Sequence, residues 1–236
     1  MSEFDYTVKQ IRGGVGRDFI REYHYSHSCH NGPMCWGLFD GEEMIGVCAF
    51  ATPNSENVRA APFGRDHVNR VTELHRLIIH DGTPTNTETW FIARALRGLL
   101  EYRPGLWAVL SFADGTEGHT GVIYQATNAI YTGMTGRARF YRDGEGRLRH
   151  PRQSGVNITP EMAVARGWTP EMREAKHRYI YLIGTPTQRR VSRKMLLLTE
   201  TDYPSNVNSG VTFGHLDPLV KQGLEHRDIE RWVGCE

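Results

Sequence analysis

The chain has 236 residues, 39% hydrophobic and 23% charged, with a formal net charge of +1. That length suits one large domain, or one domain with an elaborated tail, rather than two full domains. The hydrophobic share is enough for a core and excludes a chain disordered by composition. The longest apolar runs, such as Met44 to Ala51, are too short to span a bilayer. The opening MSEFDYTVKQ has no apolar h-region, and four cysteines over this length make no disulfide framework. The expectation is a soluble cytoplasmic protein with no membrane partner.

Trp36-Gly-Leu-Phe and Met44 to Phe50 flank Asp40-Gly41-Glu42-Glu43, and a DG turn between apolar runs predicts a β-hairpin. Val71 to His80 reads as a strand ending at the turn residues Asp81-Gly82-Thr83-Pro84. Thr85-Asn86-Thr87-Glu88 has capping-box spacing, and a helix is predicted from Thr89 to about Tyr102, where Arg103-Pro104-Gly105 stops it. Leu106 to Ala113 is a second buried strand, Asp114 to Gly118 a loop, and His119 to Tyr131 a second helix. A hairpin with another DG turn (ARFYRDGEGRLRH), a short helix near Pro160 to Arg166 and a strand from His177 to Ile183 follow. Strand–helix–strand with a short first turn implies parallel strands and a right-handed crossover. The fold class is therefore α/β (α+β), a mixed sheet with flanking helices. Residues 1–185 are expected to form the main domain, and 186–236 a C-terminal extension packed on or beside it.

The small net charge hides an asymmetry. Residues 137–194 hold 14 Lys and Arg against 5 Asp and Glu. Charge gathered this way reads as a patch that meets a polyanion, with a solvated pair of strands as the plainer alternative. Arg137, Arg139, Arg142, Arg147 and Arg149 are expected to line a DNA-facing hairpin.

Several residues carry candidate chemistry. Ser111 and Asp114 lie at the C-terminal end of a strand, where open α/β sheets bind ligands. Asp114 is a candidate base, or a plain turn residue. At about 100° per residue, Val122, Ile123, Ala126, Ala129 and Ile130 form one stripe of the second helix. Tyr124, Asn128 and Tyr131 fall opposite, where two phenols could enter one cleft. In Glu73-Leu-His75-Arg76-Leu77, alternation sets Glu73 and His75 on one face and Arg76 on the other, where it meets a phosphate or a structural carboxylate. His24, Tyr25, His27, Cys29, His30 and Cys35 are the densest set of possible zinc or iron ligands. No second pair stands at zinc-finger spacing, so the metal is unknown, and His24 and Tyr25 are alternatively catalytic, DNA-facing or a capped helix end.

The segments Tyr23-His-Tyr-Ser-His27, Glu73-Leu-His-Arg-Leu77, Lys176-His-Arg-Tyr179 and above all Ser111-Phe-Ala-Asp-Gly-Thr-Glu-Gly-His-Thr-Gly-Val-Ile-Tyr-Gln-Ala-Thr-Asn-Ala-Ile-Tyr-Thr-Gly133 resemble the bacteriophage Mom family, DNA-modifying relatives of the GNAT acyltransferases. The resemblance runs from about residue 20 to 183. It implies a GNAT-like fold and an enzyme that adds a methylcarbamoyl or acetamido-type group to the N6 amine of adenine in duplex phage DNA, shielding it from host restriction. It implies acetyl-CoA as acyl donor and associates iron with the family. The cofactor would meet Leu77, Ile79, Thr85, Asn86, Thr87, Asn128 and Tyr131, and Asp114, Tyr124, Ser111, His24, Tyr25 and Arg76 would serve catalysis. One departure stands out: where a GNAT pyrophosphate loop is glycine-rich, this chain has Gly82-Thr-Pro-Thr-Asn-Thr. A GNAT enzyme for a small amine or protein lysine, and a non-catalytic DNA-binding antirestriction protein, are the competing readings.

Overall fold

The computed structural model describes residues 5–24, 27–153 and 156–204, without the side chains of Glu117 and Gln153. Two elements precede the expected hairpin, β1 (Tyr6–Ile11) and α1 (Gly13–Tyr23). The hairpin is β2 (Met34–Asp40) and β3 (Glu43–Ala51), followed by the short α2 (Glu56–Ala60). Next come β4 (Val71–Ile79), α3 (Thr87–Tyr102) and β5 (Ala108–Asp114), as expected. The second helix is only α4 (Val122–Ala126), and Tyr131 belongs to a strand, β6 (Ile130–Met134). A small sheet is built from β7 (Ala138–Arg142), β8 (Leu148–Arg149) and β11 (Thr169–Arg173). Between them lie the pair β9 (Arg152–Gln153) and β10 (Val156–Asn157) and helix α5 (Pro160–Ala165). β12 (Lys176–Leu182) and α6 (Pro186–Met195) complete the described chain.

The main sheet has the order β1-β2-β3-β4-β5-β12-β6, with only β4 and β5 parallel. This is the expected mixed sheet with flanking helices. One face carries α3, whose Trp90, Phe91, Ala95 and Leu99 pack with Trp36, Phe50, Leu74 and Val109. Gly98 brings the helix close, because a Cβ there would lie 2.3 Å from the Trp36 indole nitrogen. The other face carries α1, through Phe19 and Ile20 on Cys35, Val47 and Ala49, and the end of α6, through Met195 and Leu196 near Phe63 and Ile180. The extension thus begins on the sheet, and residues 205–236 of it lie outside the described residues. Among the described residues no helix is long and apolar enough to cross a membrane.

Two local departures shape the site. α4 stops because Thr127 Oγ1 bonds back to the Ile123 and Tyr124 carbonyls and Asn128 turns left-handed at φ 53°. Ile130-Tyr-Thr, all strand-favouring residues, then pair with β12 instead of continuing a helix. The capping box at α3 does not form: Asn86 is the N-cap, without a side-chain bond, and Thr87 Oγ1 donates to the Pro84 carbonyl.

Candidate functional site

β4 and β5 pair only from Val71–Ala108 to Leu74–Ser111. Beyond that rung β4 continues to Ile79 on its β3 side, and β5 continues to Asp114 on its β12 side. The sheet therefore splits, and the split holds a cleft of about 1240 Å³. Its walls include Leu77 and Ile79 from β4, Asp114 from β5, His119, Thr120 and Tyr124 from the following loop and helix, Glu88 from α3, and Tyr23 and His24 from the end of α1. The Ser111 hydroxyl sits at the vertex, fully buried and without a hydrogen-bond partner among the described residues.

A β-bulge corrects the expected position of Arg76. Ala49 pairs with Arg76 and the next β3 residue, Phe50, with Leu74, so His75 is the extra residue. Leu74 and Leu77 consequently pack on the α3 side, three positions apart, while Ile78 packs on the α1 side. His75 and Arg76 both reach the loop after α1. The His75 ring lies 6.0 Å from His30, and Arg76 donates to the Ser28 carbonyl (3.1 Å) and hydroxyl (3.2 Å). Among the described residues no carboxylate pairs with Arg76, which lines the cleft.

His24 caps the C-terminus of α1, its amide donating to the Ile20 carbonyl at 3.0 Å. Burial, reinforced by Arg76 and His75, pushes its imidazole down to about 4, so it is neutral near pH 7. Asp114 accepts from the Thr116 amide (3.0 Å) and pairs with Lys176 (3.2 Å) and Arg173 (3.4 Å). Burial pushes its carboxyl up, but Lys176 and Thr116 outweigh that and hold it below the usual range. It is a fixed anion that clamps the loop to β11 and β12, and a weak base.

Tyr124 stands in a row of rings, 5.3 Å from Tyr179, which is 5.1 Å from Tyr131. Tyr179 donates to the Thr120 carbonyl and accepts from Gln125 (3.0 Å), and burial pushes its phenol up to about 12. Gly121 makes this approach possible: its φ is +81°, and a Cβ would lie 2.4 Å from the Tyr179 ring.

Other expected contacts lie elsewhere. Tyr131 is buried in β6, its hydroxyl 2.8 Å from His177 Nδ1, so the two phenols do not share one helix face. Thr87 is fully buried, and neither it nor Thr85, Asn86, Asn128 or Tyr131 lines the cleft. Tyr25 lies outside the described residues. Among the described residues no three His, Cys, Asp or Glu side chains are grouped to hold a metal ion. His27 Nδ1 instead faces the Arg21 carbonyl, His30 Nε2 faces Asn54, and burial pushes the Cys35 thiol up to about 12. Among the described residues these donors are not arranged to hold iron.

The hairpin arginines are mostly paired. Arg137 meets Glu174 (2.9 Å), Arg142 meets Glu171 (2.6 Å), and Arg147 and Arg149 share Asp143 (3.1 and 2.7 Å). Arg139 alone of the five has no carboxylate partner among the described residues. Sequence reasoning gave Lys176 no site role and did not single out Arg173, because Arg173 meets Asp114 from 59 positions away and no short motif joins them.

Among solved structures, the chain is similar to a spermidine N-acetyltransferase chimera from Vibrio cholerae (14% identity, TM-score 0.42, covering 81% of this chain and 99% of that one). It is also similar to a GNAT-family acetyltransferase from Streptococcus pneumoniae (8% identity, TM-score 0.43, 76% and 100%). In sequence it is 28% identical over 201 residues to the methylcarbamoylase mom of Escherichia phage Mu, covering 80% of each. The signature of the Mom protein family matches residues 5–205, and the chain belongs to that family.

Proposed function

We propose that the chain is a DNA-modifying transferase that places a methylcarbamoyl or acetamido-type group on the N6 amine of adenine in duplex DNA. The observation that carries this reading is the split between β4 and β5, which joins His24, Arg76, Asp114 and Tyr124 in one cleft. It occurs in a chain whose phage Mu relative is named a methylcarbamoylase. Group transfer needs donor and acceptor held together in a confined space, and a cleft passing through a sheet provides one.

An acyl-CoA thioester fits the donor end in part. Beyond Leu74 the β4 edge toward β5 is unpaired, so its backbone groups are available to an extended amide arm beside Leu77 and Ile79. The first turn of α3 has no side-chain cap, but its Thr87 amide already donates to the Pro84 carbonyl and only Glu88 of that turn lines the cleft. Asp81 and Glu88 line the same end, so a diphosphate there also meets two carboxylates. When bound, a thioester would supply an activated carbonyl that N6 displaces from sulfur with release of the thiol. A methylcarbamoyl product therefore requires a donor whose acyl group already carries the methylamide nitrogen.

The acceptor amine is a poor nucleophile, since its lone pair is delocalised into the purine. Attack makes its proton far more acidic, so a weak neutral base suffices, and His24 fills that role. Arg76, on the same side of the bulge, holds negative charge from a phosphate or a developing oxyanion. Tyr124 protonates the leaving atom. Asp114 keeps the loop bearing Thr120 and Gly121 in place through Lys176 and Arg173. Adenine N6 is paired inside a duplex, so the base must be extruded into the cleft. DNA from cells expressing the chain, digested and weighed as nucleosides, is expected to contain a heavier deoxyadenosine. Unmodified deoxyadenosine alone, at good expression, would overturn the proposal.

A further inference from the structure

Nine of the 14 Lys and Arg of residues 137–194 fall on two surfaces, the arginine hairpin and helix α6. On the small β7–β8–β11 sheet four of the five hairpin arginines already hold carboxylates, so a phosphate arriving there must displace one. Helix α6 is different. Its sequence, PTQRRVSRKM, contains four cations and no acid, and its N-terminus is fixed by a complete capping box between Thr185 and Gln188.

At about 100° per residue, Arg189, Arg190, Arg193 and Lys194 fall within an arc of about 140°. Buried Ser192 lies outside that arc, and Met195 and Leu196 anchor the end of the helix to the sheet. The cations thus share one side of a helix that is held through Ser192 and its C-terminal end, while Val191 outside the arc is exposed. Arg193 pairs with Glu200, while Arg189, Arg190 and Lys194 have no carboxylate partner among the described residues. Ten residues rise about 15 Å, the length over which one DNA strand presents about four phosphates.

We infer that α6 is a docking surface for the phosphate backbone of duplex DNA, and that it, rather than the arginine hairpin, supplies most of the sequence-independent affinity. This inference rests on the proposed action on DNA. It lies on the face of the sheet that also carries α1, whose last residues line the cleft. Phosphate contacts of this kind set orientation on the duplex and leave base recognition to the cleft.

The test uses the full chain and a fluorescent duplex oligonucleotide, with binding measured from about 50 to 200 mM salt. Arg189→Gln, Arg190→Gln and Lys194→Gln together are expected to lower affinity at least about tenfold. They should also flatten the log–log salt slope by two to three units, at about 0.9 per lost contact. Arg190→Gln alone should flatten it by about one. A charge-neutral hairpin variant, Arg137→Gln with Glu174→Gln and Arg142→Gln with Glu171→Gln, should keep the parent slope. Thermal midpoints check that each variant is folded. A parental slope in the α6 variants, or its loss in the hairpin variant, overturns the inference while leaving adenine modification standing. Parent protein that binds duplex through α6 yet leaves adenine unmodified would instead sink the proposed reaction alone, and a parent that binds no duplex overturns both.

Discussion

Leu74 and Ser111 form the last rung between the two parallel strands, and the cleft opens directly beyond them. Leu74 packs into the core under α3, whereas the Ser111 hydroxyl is buried with no partner among the described residues. An unpartnered buried polar group costs about 1–3 kcal/mol. Ser111 adjoins the cleft without lining it, and we predict that its unpartnered hydroxyl serves the site.

Ser111→Ala is therefore expected to keep stability or raise it by about 1 kcal/mol, since it removes the unmet hydroxyl. The same variant should lower DNA modification at least about tenfold, the scale of one lost transition-state hydrogen bond. Thermal unfolding alongside nucleoside mass measurements separates the two effects. Lower stability with parental modification would make Ser111 a packing residue.

Gly121→Ala attacks the site through the backbone. The position has φ +81° and a Cβ would press on the Tyr179 ring at 2.4 Å, so both strain and overlap oppose it. A loss of about 2 kcal/mol or more is expected, with modification falling as Thr120 and Tyr124 shift. Denaturant unfolding measures the first part, and a parental midpoint would show that the loop adapts.

His24 ties stability to pH. Its ordinary value of 6.5 applies to the unfolded chain, and the folded site holds it near 4. Between those values the unfolded chain takes up a proton that the folded chain refuses, so stability falls as pH drops from about 6.5 toward about 4. His24→Gln should flatten this part of a plot of thermal midpoint against pH. Equal slopes in parent and variant would mean that His24 is protonated in the folded site. Modification by the parent should not titrate on this group above about pH 5.

The β4–α3–β5 unit was legible because its period, turns and stop signals agree, as was the 36–50 hairpin. α1 was hidden by Gly13, Gly14 and Gly16, poor helix formers, although Gly16 lets the helix pack on Cys35. Apolar spacing from Val122 to Ile130 fits a helix, and only the pairing of β6 with β12 reveals that the last part is a strand. Arg76 was set on the wrong face because a bulge leaves no mark in an alternating pattern. Arg137 and Arg142 looked available because Glu174 and Glu171 lie about thirty to forty positions downstream, whereas Arg147 and Arg149 share Asp143 within the hairpin itself.

The most direct measurement compares the parent with Tyr124→Phe in a time course of modified deoxyadenosine in cellular DNA. Phenylalanine keeps the ring beside Tyr179 and removes only the hydroxyl, so folding and duplex binding should match the parent. The parent is expected to accumulate the heavier nucleoside, and Tyr124→Phe to do so about a hundredfold more slowly, the usual scale for a general acid. Equal rates in the two proteins, or no heavier nucleoside from a well-expressed parent, would contradict adenine modification in this cleft.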